Sequence, residues 1–217
     1  VIIEDDGFDP KKGLAAYQKL TGINKVDALI NMTSPTIDAI YSNIRSSGIP
    51  VAQGGEQGVE PTDDNVFQLL PGNIATEVTL GEFAKSKGYK KIVAFYANNA
   101  TYVRFLDGFK KGYGGPITEF PIGIEDRDYR THVAKALAVH PDAILFIATP
   151  EQGASLVKLL AEQSSERFPY LFDANIQTGF ADYKRILGDT KILNGSTAVV
   201  IRQHTNPDFA SRYKAKY

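Results

Sequence analysis

Several short stretches of this sequence carry residue types suited to holding a small polar molecule. Asn31-Met32-Thr33-Ser34-Pro35-Thr36 ends an apolar run and opens an amphipathic one. Free N–H groups at a helix start, with the hydroxyls of Thr33 and Ser34, make an anion or carboxylate site; simple capping by Ser34 is the plainer alternative. Gln53-Gly54-Gly55-Glu56 follows the next apolar run. Its glycines let backbone amides approach a ligand, and Glu56 offers a partner to a cationic or hydroxylated group. Tyr102, after Asn98-Asn99, has a ring to stack and a hydroxyl to share. Thr149 and Asp173 each follow a further apolar run. Asp173 is the best local partner for an ammonium group; otherwise it caps the segment that follows.

Other chemistries find little support. His132, His140 and His204 are scattered, without metal-ligand spacing. There is no cysteine, so disulfides, thiol nucleophiles and cysteine metal sites are absent together. No GxSxG, HExxH, GxGxxG or GxxxxGK[ST] pattern occurs, and no catalytic residue, metal or cofactor is expected. The acidic run Glu4-Asp5-Asp6 stands where a response-regulator receiver holds Mg²⁺, but the run 27–31 ends Asn31-Met32-Thr33 and supplies no phosphoacceptor Asp. It reads better as a solvated, helix-capping loop. Asn31, Asn99 and Asn194 match N-x-[ST], a pattern frequent by chance. The net charge of −1, with no long block of either sign, gives no footprint for nucleic acid or an anionic membrane.

The elements that position these residues alternate. Apolar β-type runs fall at 1–3, 27–31, 50–53, 66–72, 91–96, 117–122, 143–147, 170–173 and 196–201. Helical stretches lie between them at about 10–20, 35–47, 73–87, 101–113, 129–138, 150–163 and 180–187, and a last one follows at 209–217. This order predicts an α/β fold of mostly parallel sheets with helices on both faces. In such sheets ligands bind at the carboxyl ends of the strands, where all the residues above stand. Asp9-Pro10 and Ser34-Pro35 look like helix starts, and Gly48 like a stop. The longer loops, 54–65 and 123–128, are the better places for ligand contact. The sequence opens inside a strand and closes inside an uncapped helix, which reads as a piece of a longer protein.

Taken in order, these segments resemble a family. Asp5-Asp6-Gly7-Phe8-Asp9-Pro10 before an alanine-rich helix is similar to the segment after the second strand of type I periplasmic binding proteins. Ser47-Gly48-Ile49-Pro50-Val51, Asp107-Gly108-Phe109-Lys110-Lys111 and Pro141-Asp142-Ala143-Ile144-Leu145-Phe146 match the habits of the same family. The branch resembled is the branched-chain amino-acid (Leu/Ile/Val) binding proteins of ABC importers. The resemblance implies two hinged lobes: residues 1–70 as a first lobe lacking its opening strand and helix, 71–200 as the second, and 201–217 crossing back. It puts the ligand positions at Met32, Thr33, Ser34, Gly54, Gly55, Glu56, Tyr102, Thr149 and Asp173. Glu56 stands where that family offers a small residue or Thr, and Asp173 is one or two positions from the family's ammonium-binding acid.

The function implied is non-enzymatic. A periplasmic or lipid-anchored extracytoplasmic receptor, monomeric, would take up an amino acid or a related small acid or amide and deliver it to ABC permease subunits. The alternative on the same fold is the ligand-sensing domain of a regulator or receptor.

Overall fold

The computed structural model describes residues 1–54, 64–69, 73–123, 125–200 and 207–216. Its first unit begins at helix α1 (Pro10–Gln18), where the Asp9 carboxylate accepts the N–H groups of Lys11 and Lys12 at 2.8 and 2.9 Å. Pro10 fills the first turn, where no N–H is needed. A wide turn at Lys19–Ile23 leads to strand β1 (Leu29–Asn31), helix α2 (Ser34–Ser47), and strands β2 (Val51–Gln53) and β3 (Val66–Gln68). Gly48 ends α2 at φ 68°, a left-handed turn that suits glycine. The three strands are parallel, in the order β1-β2-β3. Alternation sends Val51 and Val66 to one face, beneath Tyr17 of α1 and Ile37, Ile40 and Ile44 of α2. Ile30 and Phe67, on the opposite face, are 76% and 56% exposed. Among the described residues, helices therefore cover only one face of this sheet.

The expected strand at 1–3 does not form; Val1, Ile2 and Ile3 are exposed and join no ladder. The reason is topological. A short extended run needs a neighbour to hold it, and the outer edge of β1 carries no strand among the described residues.

The second unit is larger. Helix α3 (Asn73–Ser86) precedes β4 (Ile92–Ala97), α4 (Ala100–Tyr113), β5 (Ile117–Ile122), α5 (Arg130–Ala138) and β6 (Ala143–Ile147). Then come α6 (Pro150–Gln163), β7 (Tyr170–Phe172), the single turn α7 (Asn175–Thr178), α8 (Phe180–Leu187), β8 (Thr197–Ala198) and α9 (Pro207–Lys216). The sheet is parallel throughout, in the order β5-β4-β6-β7-β8. Its strands are apolar on both faces because both are covered. Ile92, Ala94, Leu145 and Leu171 lie under α3 and α4, where Leu80, Leu106 and Phe109 close the layer. Val93, Phe95, Ile144, Phe146 and Phe172 lie under α5, α6 and α8. The last strand is shorter than the 196–201 expected: only Thr197 and Ala198 pair with β7, Val199 adds one N–H to the Phe172 carbonyl, and Ile201 is outside the described residues.

This order reverses once. From β4 the chain moves outward to β5, then returns across β4 to place β6 on its other side. The carboxyl ends of β4 and β6 flank the reversal, which is where open α/β sheets leave a crevice.

Candidate functional site

Three adjacent strands of the second sheet deliver the polar residues expected there. Asn99, after β4, caps α4 by accepting the Tyr102 N–H at 3.0 Å. Tyr102 is thereby fixed in the first turn of α4, with its ring buried edge-on to Phe105. Asp173, after β7, is only 4% exposed. Its two oxygens accept from Asn175, the backbone N–H at 3.1 Å and the side-chain amide at 2.8 Å. Burial pushes the Asp173 carboxyl up to about 8, against the opposing pull of those two bonds. Burial, and then the charge of Asp173, raise the hydroxyls of both Tyr102 and Tyr183, so Asp173 stands within electrostatic reach of a ring from α4 and one from α8. No cation bonds to it among the described residues.

Thr149, after β6, builds a capping box with Gln152. Its hydroxyl accepts the Gln152 N–H at 3.3 Å, and the Gln152 side-chain oxygen accepts the Thr149 N–H at 3.4 Å. The Gln152 amide then donates to the Gly123 carbonyl at 2.9 Å, tying the loop after β5 to α6. Beside Thr149 lies a hollow of about 390 Å³, edged by Glu125, Arg127, Tyr129, Glu151 and Asp182. Part of the long 123–128 loop thus shares a rim with Thr149.

In the first unit the structure corrects an expectation. Thr33, not Ser34, is the N-cap of α2, and its side chain does not bond back to the helix. The hydroxyls of Thr33 and Thr36 both donate to the Asp6 carboxylate. The anion position at this helix start is filled by the chain's own carboxylate. A tight turn holds it there: Phe8 takes φ 58°, and its N–H donates to Asp6 at 2.8 Å. Burial pushes the Asp6 carboxyl up, but the Thr33 and Thr36 hydroxyls and the Phe8 N–H outweigh it and leave it below the usual carboxylate range. Asp6→Ala is expected to cost about 1–2 kcal/mol, two charge-assisted bonds discounted for the solvent that reaches them. Because the folded carboxyl is depressed, this stability is present above about pH 4 and fades as pH falls through the lowered value. Urea unfolding of Asp6→Ala against wild type at pH 7 and pH 3 checks it; an equal gap at both would contradict the assignment.

Met32 is 63% exposed and lies over Gly54, where an added Cβ would come 2.7 Å from the Met32 sulfur. Ser34 begins the first turn of α2. Gly55 and Glu56 lie outside the described residues. Two neighbouring residues were not singled out in the sequence. Asn31 donates its amide to the Thr33 carbonyl and to the Gln53 side-chain oxygen, both at 2.8 Å. Gln53 is fully buried, and its own amide nitrogen has no partner among the described residues. Asn31, Gln53 and Gln68 are register partners, so three amides line up across the strand ends of the first sheet.

The polar strand ends of two parallel α/β units prompt comparison with known proteins. A family model described as "Periplasmic binding protein" matches residues 1–177. The chain belongs to the periplasmic binding protein family. Solved structures of the type I fold in this family agree. A fatty acid ABC transporter substrate-binding protein from Thermomonospora curvata has a TM-score of 0.74 at 22% identity, over 91% of this chain and 51% of that one. A leucine binding protein from Thermotoga maritima MSB8 has a TM-score of 0.75 at 17% identity, over 98% and 63%. A solute binding protein of an ABC transporter from Rhodopseudomonas palustris BisB5, solved with 3,4-dihydroxybenzoic acid, has a TM-score of 0.72 at 17% identity, over 100% and 62%. The chain thus spans between 51% and 63% of the length of these structures. Against curated protein sequences no match was found.

Within this family fold, Gln152, Asn175 and Tyr183 join the site residues already named. The Thr149-Pro150-Glu151-Gln152 run is a capping box legible in sequence. Asp173-Ala174-Asn175 is likewise a short polar turn that could be read as one. Tyr183 gave no local signal, because it reaches the site across α6, its hydroxyl set against Gly153.

Proposed function

We propose that the chain is the ligand-binding part of an extracytoplasmic solute receptor. It captures a small polar molecule between two lobes, 1–70 and 71–200, and delivers it to ABC permease subunits. The observation that carries this reading is Asp173, a carboxyl buried at a strand end beside Tyr102, with no cation bonded to it among the described residues. Burying a carboxyl this way is costly, and strongly shifted groups gather where they have work to do. An ammonium ligand would ionise Asp173 and take the place of the missing cation. An acid or hydroxylated ligand would instead receive the proton that Asp173 holds at neutral pH. The branched-chain amino acids are the first of these cases, and small aromatic or aliphatic acids the second.

Binding needs no chemistry on the ligand. Ser34 and Gly54 belong to one wall, where the Thr33 hydroxyl is already taken by Asp6, and Tyr102, Thr149 and Asp173 to the other. A ligand that touches both walls favours the closed form; one with equal affinity for open and closed forms shifts nothing. Micromolar affinity requires about −8 kcal/mol. Two or three charge-assisted hydrogen bonds at about 1.5–3 kcal/mol each, with some apolar burial, are of that order.

Thermal unfolding of the full-length protein against aliphatic amino acids, amides, aromatic acids and short carboxylates tests the reading. A ligand at 100 times its Kd adds about 2.7 kcal/mol, or several degrees for a protein of this size. The expected result is a shift with one class that disappears in Asp173→Ala. A shift that survives intact in Asp173→Ala would remove Asp173 from the pocket.

A further inference from the structure

The two units each have their own core, and the main packing between their helices is α2 against α4. These are also the helices whose first turns carry ligand residues: Ser34 on α2 and Tyr102 on α4. One turn beyond Ser34 is Asp38, and two residues beyond Tyr102 is Arg104. The Arg104 guanidinium Nη2 donates to Asp38 Oδ2 at 2.7 Å across this contact. Both side chains are largely covered, at 34% and 22% exposure. The other carboxylate oxygen, Asp38 Oδ1, is buried and has no partner among the described residues.

That geometry is poor for permanent glue and good for a reversible tie. A fork-on-fork Arg–carboxylate pair makes two bonds, whereas this one makes a single bond. The orphaned oxygen gives back part of what the bond contributes. Separating the helices would hydrate the guanidinium and both oxygens, which offsets part of the bond that is lost. We propose that Asp38–Arg104 is a positioning pair that sets the closed spacing of α2 and α4, and through it the ligand affinity, without touching the ligand. Its effect on affinity rests on the strand-end cleft being the ligand site; its effect on the spacing of the helices does not. The two can therefore fail separately.

The spacing is measured without ligand. These 217 residues have no cysteine, so Ser46→Cys and Lys111→Cys, at exposed positions on α2 and α4, give two spin labels, with any cysteine elsewhere in the full-length protein replaced by serine. Pulsed dipolar spectroscopy on the full-length protein is expected to show a longer, broader distance in Arg104→Ala than in the labelled parent. The swap Asp38→Arg with Arg104→Asp is expected to restore the parental distance. With a ligand identified, Arg104→Ala should raise its Kd by about 10-fold, and the swap should recover it. An unchanged distance in Arg104→Ala with a native far-UV spectrum overturns the proposal, as does a folded swap variant that stays open. Altered spacing with no identifiable ligand would sustain the tie and count against the receptor reading alone.

Discussion

Replacing Asp173 with asparagine is expected to make the protein more stable at pH 8 and slightly less stable at pH 4. In the folded chain burial pushes this carboxyl up to about 8, from an ordinary value of 3.8. Between those two pH values the folded state keeps the proton and the unfolded state releases it. Unfolding then sheds a proton, and stability falls by about 1.4 kcal/mol for each pH unit. Across that window the penalty accumulates with each pH unit. Asparagine has nothing to ionise and escapes it. Its amide cannot accept both bonds from Asn175, and losing one costs about 1 kcal/mol. The Asn variant should therefore trail wild type slightly at pH 4 and lead it clearly at pH 8. At about 2–4 °C per kcal/mol for a chain of this size, the lead at pH 8 is visible as a higher melting temperature. Urea unfolding of both proteins at half-unit steps from pH 4 to pH 8 measures it. Two parallel curves would mean that Asp173 is ionised in the folded state, and the argument for its role would go with them. If the curves converge and cross, the protein keeps a carboxyl that destabilises it, at a position where asparagine would fit. That exchange of stability for a site is expected of a binding residue and not of a structural one.

Most of the fold could be read from the sequence, and the departures share a cause. The runs at 117–122 and 143–147 and the helix at 150–163 match the structure end for end, because each is bounded by local signals: Pro150 after Thr149, or an apolar run between polar turns. The run at 1–3 has the same apolar character but no adjacent strand among the described residues, and pairing is a property of the sheet. The cleft shows the same division. That Thr149 and Asp173 follow strands is legible from the alternation, and the topology then brings their strands side by side. That the Thr33 hydroxyl is committed to Asp6 is not, since the two residues are 27 positions apart. Ser34-Pro35 looked like a cap because Ser is a good N-cap in isolation. The carboxylate that drew Thr33 outward shifts the cap by one residue, and no window along the chain contains both partners. Gln53 opens a segment legible in sequence, but its side-chain role arises only when Asn31 and Gln68 come into register beside it.

Gly112→Ala is expected to destabilise the protein by about 3 kcal/mol, although alanine is the better helix former. Local propensity alone predicts the opposite sign, a gain of about 1 kcal/mol. The contact between α3 and α4 decides it. A Cβ on Gly112 would lie 2.0 Å from the Val78 carbonyl oxygen and 3.0 Å from the Glu82 nitrogen. Gly81 on the facing helix has the reciprocal problem, 2.2 Å from the Phe109 oxygen and 2.6 Å from the Tyr113 nitrogen. Gly108, one turn before Gly112, would sit 3.0 Å from the Ile74 oxygen. The two backbones touch along this line, which is why glycines interrupt otherwise good helical sequence. Overpacking costs about 1–3 kcal/mol when side chains can give way. Here the obstacle is main chain, so the helices must separate and loosen the layer of Leu80, Leu106 and Phe109. The overpacking cost must then exceed the propensity gain. A fall of about 6–12 °C in Tm is expected. Gly22→Ala is the control: an added Cβ meets nothing within 4 Å there, and the melting temperature should hold or rise slightly. Helix α4 also carries Tyr102 and Arg104. Moving it off α3 shifts Tyr102 relative to Asp173 and Arg104 relative to Asp38, so Gly112→Ala should weaken ligand binding at temperatures where the variant is still folded. A variant that melts early yet binds as wild type would show that binding tolerates movement of α4, and would count against the proposed ligand role of Tyr102.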